Sequence, residues 1–249
     1  MRVLKAMLGG HQSMMLREIA AASEMPTSKV HRYLVSMIRS GLVEQNLATS
    51  RYDLGPLALT VGLVAMDRLD RIQLGLFTIE ELRNDINEAT ALAAWSQNGP
   101  IVVRWERPQR PIALSVVTGM ALSMLGTASG RIFAAYLPPA TYEHLIEMEM
   151  KEASLPKELR SRHAVTKILS QIRTSGLAIV SSHHDVPGIV AMSAPVFNAK
   201  NEITLAMSVV GISGMIDASE HGPVANALKL SAQKLSWKLG HREGVRPVL

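Results

Sequence analysis

An α+β fold in two unequal parts is predicted by three observations. Residues 16–55 set a short helix, a turn, a second helix with a polar basic face and a candidate hairpin in that order. That is the order of parts in a winged helix-turn-helix head. Beyond residue 89 the apolar period shortens from that of helices to that of strands. The later strand candidates are joined by tight turns and followed by helices, which makes one mixed domain with a largely antiparallel sheet. The 249 residues hold two domains of ordinary size. We place the head at 1–55, a linking and dimerising helix at 56–70 and the larger domain at 71–249.

Each element has a local reason. Residues 2–9 form a first helix with Val3, Leu4, Met7 and Leu8 apolar, stopped by Gly9-Gly10. Residues 15–22 form a second, with Leu16, Ile19 and Ala20 inward, and 23–25 make the turn. Pro26 or Thr27 opens the third helix, proline suiting a first turn and threonine a cap. It runs to about Ser40 and ends at Gly41. A strand starts at 42–44, 46–50 turn, and 51–54 return as the wing. Gly55-Pro56 marks the boundary. Residues 57–67 continue as an apolar helix, and 69–89 carry a further helical pattern. Strands are expected over 91–96, 101–106 and 112–117, with Asn98-Gly99 a hairpin signal between the first two. Helices follow over 129–136, 141–148 and 158–174. Strands over 178–181, 189–197 and 202–210 come next, the last two joined by a turn at 198–201. A closing helix spans 217–239, with Asp217 or Ser219 near its cap.

Composition narrows the function. Apolar residues make up 47% of the chain, enough for real cores, and 14 Met supply adaptable filling where aromatics are few. The absence of cysteine excludes disulfides, zinc fingers and a thiol nucleophile, and fits a reducing cytoplasm. No secretory leader is expected, because the start lacks a long apolar core. Residues 112–130 carry no charge, but their three Gly and several Ser/Thr fit a strand, loop and helix start better than a membrane span.

The net charge of +5 is concentrated at one end. Residues 1–52 hold seven cations (Arg2, Lys5, Arg17, Lys29, Arg32, Arg39, Arg51) against Glu18, Glu24 and Glu44. That asymmetry points the head at an anionic partner. In the third helix Val30, Leu34, Met37 and Ile38 make the core stripe. The opposite stripe carries Ser28, Lys29, Arg32 and Ser36, flanked by Thr27, His31 and Tyr33. Short hydroxyl residues at the helix start let its free N–H groups approach phosphate. Arg32 reaches either a guanine edge or a phosphate. Lys29 suits a phosphate contact, which positions without reading sequence. Arg17 suits the flanking backbone and Arg51 the minor groove. Double-stranded DNA is the expected partner. No metal or other cofactor is expected.

These residues resemble the isocitrate lyase regulator (IclR) family of bacterial transcription factors. The head carries Leu16-Arg17-Glu18-Ile19-Ala20, Pro26-Thr27-Ser28, Arg32-Tyr33-Leu34, Gly41-Leu42-Val43 and Tyr52-Asp53-Leu54-Gly55 in the family's order. The second part carries Gly119, then Thr127-Ala128-Ser129-Gly130-Arg131, then Gly176 after Ile172-Arg173. The stretch from Gly188 to Phe197 and Ser208-Val209-Val210-Gly211 follow. The first helix begins closer to Met1 than is usual in the family. The resemblance implies a GAF-like C-terminal domain that binds a small effector. It also implies a cytoplasmic, non-enzymatic homodimer or dimer of dimers whose grip on a partly palindromic operator changes with effector. The implied effector positions are Ala128, Ser129, Ala191, Ser208 and Val210, with Met124, Leu125 and Gly126 in the adjoining loop. Members that bind small polar acids are more polar at the positions of Ala191 and Val210. The apolar residues here imply a larger or aromatic acid.

Other constellations carry less. His183-His184-Asp185 is an adjacent pair that cannot easily face one ion, with no fixed third ligand. No Gly-x-Ser-x-Gly elbow, dinucleotide fingerprint or phosphate loop is present. Ser129 at a helix start favours either an anion or a plain cap. Trp95 and Trp105 read as packing, and Glu143, Glu147, Glu149 and Glu152 as a solvated acidic face. The rival readings are an enzyme acting on a small metabolite and localised by its DNA-binding head, and a ligand-free architectural binder.

Overall fold

A computed structural model describes residues 2–8, 13–67, 70–109, 116–152, 155–181 and 188–242. The chain divides into two compact units, residues 1–69 and 70–249.

The first unit holds α1 (Arg2–Leu8), α2 (Leu16–Ser23), α3 (Thr27–Arg39), β1 (Val43–Asn46), β2 (Arg51–Leu54) and α4 (Pro56–Asp67). Its small core is Val3, Met7, Ile19, Ala20, Val30, Leu34, Val43 and Tyr52. Each fully buried aliphatic there contributes about 1.5–3 kcal/mol. Glu24 ends α2 in a left-handed conformation (φ 53). Pro26 precedes α3 in an extended conformation, and Thr27 lies inside the helix and caps nothing. Gly41 (φ +77) then turns the chain into β1. The hairpin is closed below by Gly55, whose N–H donates to the Leu42 carbonyl at 3.0 Å. A Cβ on Gly55 would lie 2.4 Å from the Gly41 carbonyl oxygen, so no larger residue fits that approach. Met14 and Tyr52 exchange two backbone hydrogen bonds (2.9 and 2.8 Å), tying the returning strand to the chain ahead of α2.

The second unit begins at α5 (Arg71–Ile86), where the Asp70 carboxylate accepts from the N–H groups of Ile72 and Gln73. The helical pattern expected through residue 89 stops at Asn87, which is left-handed (φ 48). Ala89 already belongs to a strand. Then come β3 (Ala89–Ser96), β4 (Gly99–Glu106), α6 (Ala128–Tyr136), α7 (Pro139–Glu149), α8 (Arg162–Ser175), β5 (Ala178–Val180), β6 (Ile189–Phe197), β7 (Ile203–Ile212) and α9 (Pro223–Lys238). Two further expectations are corrected, and a third is only partly covered by the described residues. The strand expected at 112–117 lies mostly outside the described residues, and Val116 and Val117 carry no strand. The chain instead meets the edge of β4 at 119–122, where Gly119 N–H donates to Val102 and Leu122 N–H to Pro100. The helix expected over 158–174 is a short 3-10 turn, Lys157–Leu159, followed by α8, because Ser161 is extended between them. The closing helix starts at Pro223, not 217. Asp217 turns on itself: its carboxyl is held below the ordinary range by the Ser219 hydroxyl and then by the Ser219 N–H, which donates to it at 3.0 Å.

Among the described residues the main sheet has the order β4-β3-β7-β6-β5 with every pair antiparallel. Both faces are covered. Ala91, Ala93, Ala191, Ala206 and Val210 face one way, and the odd-numbered Leu205, Val209 and Met207 on β7 face the other. α6, α7 and α8 pack on the first face, while α5 and α9 pack on the second. Among the described residues no helix is long and apolar enough to cross a membrane.

α6 is seated through Gly130. A Cβ there would lie 2.0 Å from the Ser123 carbonyl oxygen and 2.7 Å from Met124 Cα, both backbone atoms that cannot step aside alone. Gly130→Ala is expected to cost about 3 kcal/mol, read as a lowered denaturant midpoint at unchanged m-value.

Candidate functional site

α3 separates its two faces sharply. Val30 and Leu34 are wholly buried, while Thr27, Ser28, Lys29, His31, Arg32, Tyr33 and Ser36 are exposed. Arg17 is exposed on α2. Arg51 is half-buried on the wing, with its Nη1 3.6 Å from the Glu18 carboxylate. Glu18 also accepts from the Met15 N–H at 2.7 Å, so one carboxylate starts α2 and holds Arg51. The wing tip is ordered by Asn46, whose Oδ1 accepts from the N–H groups of Ala48 and Thr49. Leu47 stands out at the tip, 90% exposed.

In the second unit the sequence-predicted effector positions come together beneath the start of α6. Met124, Leu125, Gly126, Ala128, Ser129, Ala191, Ser208 and Val210 are all buried. Ala191 and Val210 are partners across β6 and β7. Ser129 and Ser208 hydroxyls meet at 2.8 Å. Ser208 donates onward to Ser193 at 2.9 Å, and Ser193 donates to the Met207 carbonyl. Three hydroxyls thus form a chain inside an otherwise apolar layer. Their mutual bonds offset a desolvation cost of about 1–3 kcal/mol for each group. Ser193 escaped the sequence reading. Its signal was its register, since it pairs with Ser208 on a face where neighbouring strand positions are apolar.

The loop ahead of α6 is fixed from three sides. Thr127 caps the helix by accepting from Gly130 N–H at 3.0 Å and donates to the Ser123 carbonyl. Arg131, itself buried, donates to the Leu125 carbonyl at 2.7 Å. The Glu149 carboxylate accepts from the N–H groups of Met124 and Leu125 at 2.5 and 2.9 Å. Glu149 therefore does not belong to a solvated acidic face. Glu143 and Glu147 do face solvent and pair with Arg162. Ser129 is not the cap, since Thr127 takes that role. Trp95 packs on Phe133 with centroids 5.6 Å apart, and Trp105 leans on the same core. His183, His184 and Asp185 lie outside the described residues. Among the described residues no cluster of three or more metal-ligating side chains occurs.

Comparison with known proteins matches both units. Residues 64–237 match the bacterial transcriptional regulator IclR C-terminal family, and residues 1–47 match the IclR helix-turn-helix domain. The chain is 25% identical to the HTH-type transcriptional regulator XynR of Escherichia coli K12 over 227 residues, covering 91% of this chain and 89% of that one. The crystal structure of Pseudomonas aeruginosa HmgR is similar with a TM-score of 0.90 and 34% identity, over 98% of this chain and 97% of the other. An IclR homologue from Microbacterium hydrocarbonoxydans, solved as a complex with 4-hydroxybenzoate, shares the fold at TM-score 0.59 and 18% identity, over 96% of each chain.

Removing the carboxylate that holds the α6 loop tests its role. Glu149→Ala is expected to cost about 2 kcal/mol and to raise hydrogen exchange at the Met124 and Leu125 amides above that at the α9 amides.

Proposed function

The chain belongs to the IclR family of bacterial transcriptional regulators, and we propose that it is a ligand-responsive one. In this reading it grips a partly palindromic operator as a homodimer or dimer of dimers, in the cytoplasm, and a small organic acid in the second unit changes that grip. Family membership sets the enzyme alternative aside. The observation that carries the reading is the division of α3, with a dry apolar stripe inside and an exposed cationic, hydroxyl-rich stripe outside.

The roles follow from chemistry. Thr27, Ser28 and Ser36 are short enough for the backbone to approach phosphates closely. Arg32 reads a base edge, Lys29 and Arg17 position the duplex, His31 flanks them and Arg51 addresses the minor groove. Two recognition helices one helical turn apart need two chains. α4 supports this, because Leu57, Leu59, Val61 and Val64 are all exposed on it. Leu57, Val61 and Val64 share one face at helical spacing, and an exposed apolar face of that kind is stabilised by a second copy of itself.

For the effector, the Ser129 and Ser208 hydroxyls, whose protons serve Ser208 and Ser193 within the chain, would turn to donate to a carboxylate. Met124, Leu125, Ala128, Ala191 and Val210 offer an apolar wall to its body, with Gly126 in the loop above. The homologue bound to 4-hydroxybenzoate supports an aromatic acid. Such a ligand changes operator affinity only by binding one arrangement of the paired heads better than another.

Two measurements test this. Arg32→Ala is expected to reduce operator binding to the level of unrelated duplex in a footprint, with the melting midpoint unchanged. Retained sequence preference would remove Arg32 as a base reader. Ser208→Ala is expected to leave operator binding intact and to weaken effector affinity about tenfold, read by titrating the operator complex with aromatic acids.

A further inference from the structure

A cavity of about 270 Å³ opens between α7 and α8, away from the hydroxyl chain under α6. Its floor is apolar, made by Ile146, Val165 and Leu169, each buried in the core of that face. Its two ends differ in charge. At one end Arg162 on α8 binds both Glu143 and Glu147 on α7, so those carboxylates are already matched. At the other end stands Arg173, eleven residues further along α8, which is roughly 16 Å of helix. Its Nε donates to the Ala135 carbonyl at 2.5 Å, which fixes the guanidinium beside the cavity.

Tyr142 lines the same end and is only 6% exposed. Among the described residues none makes a hydrogen bond to its hydroxyl. Burial raises the phenol above its ordinary pKa, with Arg173 pulling it down and Glu143 adding to the rise. It therefore stays protonated at neutral pH and has a proton to donate. The hydroxyl is not among the buried polar atoms left without a partner, so it meets solvent at the cleft, and a ligand oxygen would take the place of water there.

We propose that this cleft is a second small-molecule site, taking a ring-sized apolar monocarboxylate with its charge on Tyr142 and Arg173 and its body on Ile146, Val165 and Leu169. The volume suits one ring and little more. The site shares no residue with the Ser129–Ser208 cluster and does not rest on the effector reading given above.

Benzoate is the probe, titrated calorimetrically into the full chain, with benzamide as its uncharged counterpart. Thr166 sits exposed on the rim, so Thr166→Trp fills the cleft without entering the core. The expected result is a benzoate-binding step that Thr166→Trp abolishes, that Tyr142→Phe weakens about tenfold, and that Ser208→Ala leaves unchanged. Benzamide is expected to bind at least tenfold more weakly than benzoate. The proposal is overturned if no such step exists, if only Ser208→Ala changes benzoate binding, or if benzamide and benzoate bind alike.

Discussion

The second unit is governed by one constraint: its central strands are covered on both faces. β6 and β7 sit between two helical layers, so every side chain on them must find its partner within the protein. Most are aliphatic and need none. Of the three that are polar, Thr204 accepts from the Arg71 guanidinium on α5, while Ser193 and Ser208 face each other and draw in Ser129 from α6. Burial thus decides where polarity survives, and on the face under α6 it is collected in one hydroxyl chain. The same layer needs α6 close to the sheet, which is why Gly130 rests on the Ser123 backbone. Pressing the helix down in turn fixes the loop from Ser123 to Gly126, held by Glu149 and Arg131.

The first unit is ruled by the opposite condition. It is too small to bury much, and its eight-residue core leaves most of α3, and Leu57, Leu59, Val61 and Val64 on α4, in contact with solvent. Exposed surface on α3 is polar and cationic. On α4 it is apolar. These surfaces differ in chemistry, the first suited to an anionic lattice and the second to an apolar face.

Much of this was legible in the sequence, and the reasons are local. Val30 and Leu34 announce the buried stripe of α3 by spacing, and Gly41 and Gly55 announce the turns that bound the wing. Ile189–Phe197 was found to the residue because an apolar run bounded by Gly188 and Asn198 has few other readings. What was missed depends on contacts distant in sequence. Glu149 was grouped with Glu143 and Glu147, yet it lies two residues past Glu147. That is about 200° around the helix and hence on the inner side. Ser193 has meaning only once β6 and β7 are in register. The break at Ser161 and the late start at Pro223 are backbone choices that apolar periodicity does not report. The Tyr142–Arg173 end of the α7–α8 cleft was equally invisible, because two helices must first be packed to create it.

The contact between Arg51 and Glu18 bears on how ionic strength acts on this molecule. A surface arginine ordinarily carries a loose cloud of dissolved anions, and the release of mobile ions helps drive its capture by a polyanion. Arg51 already has a fixed internal counterion. A phosphate that takes it must displace a tethered carboxylate, which stays behind within reach and gains no freedom. In the proposed operator complex the wing would therefore contribute charge without its full share of ion release. A plot of log affinity against log salt should count one cation fewer than the contacts would suggest.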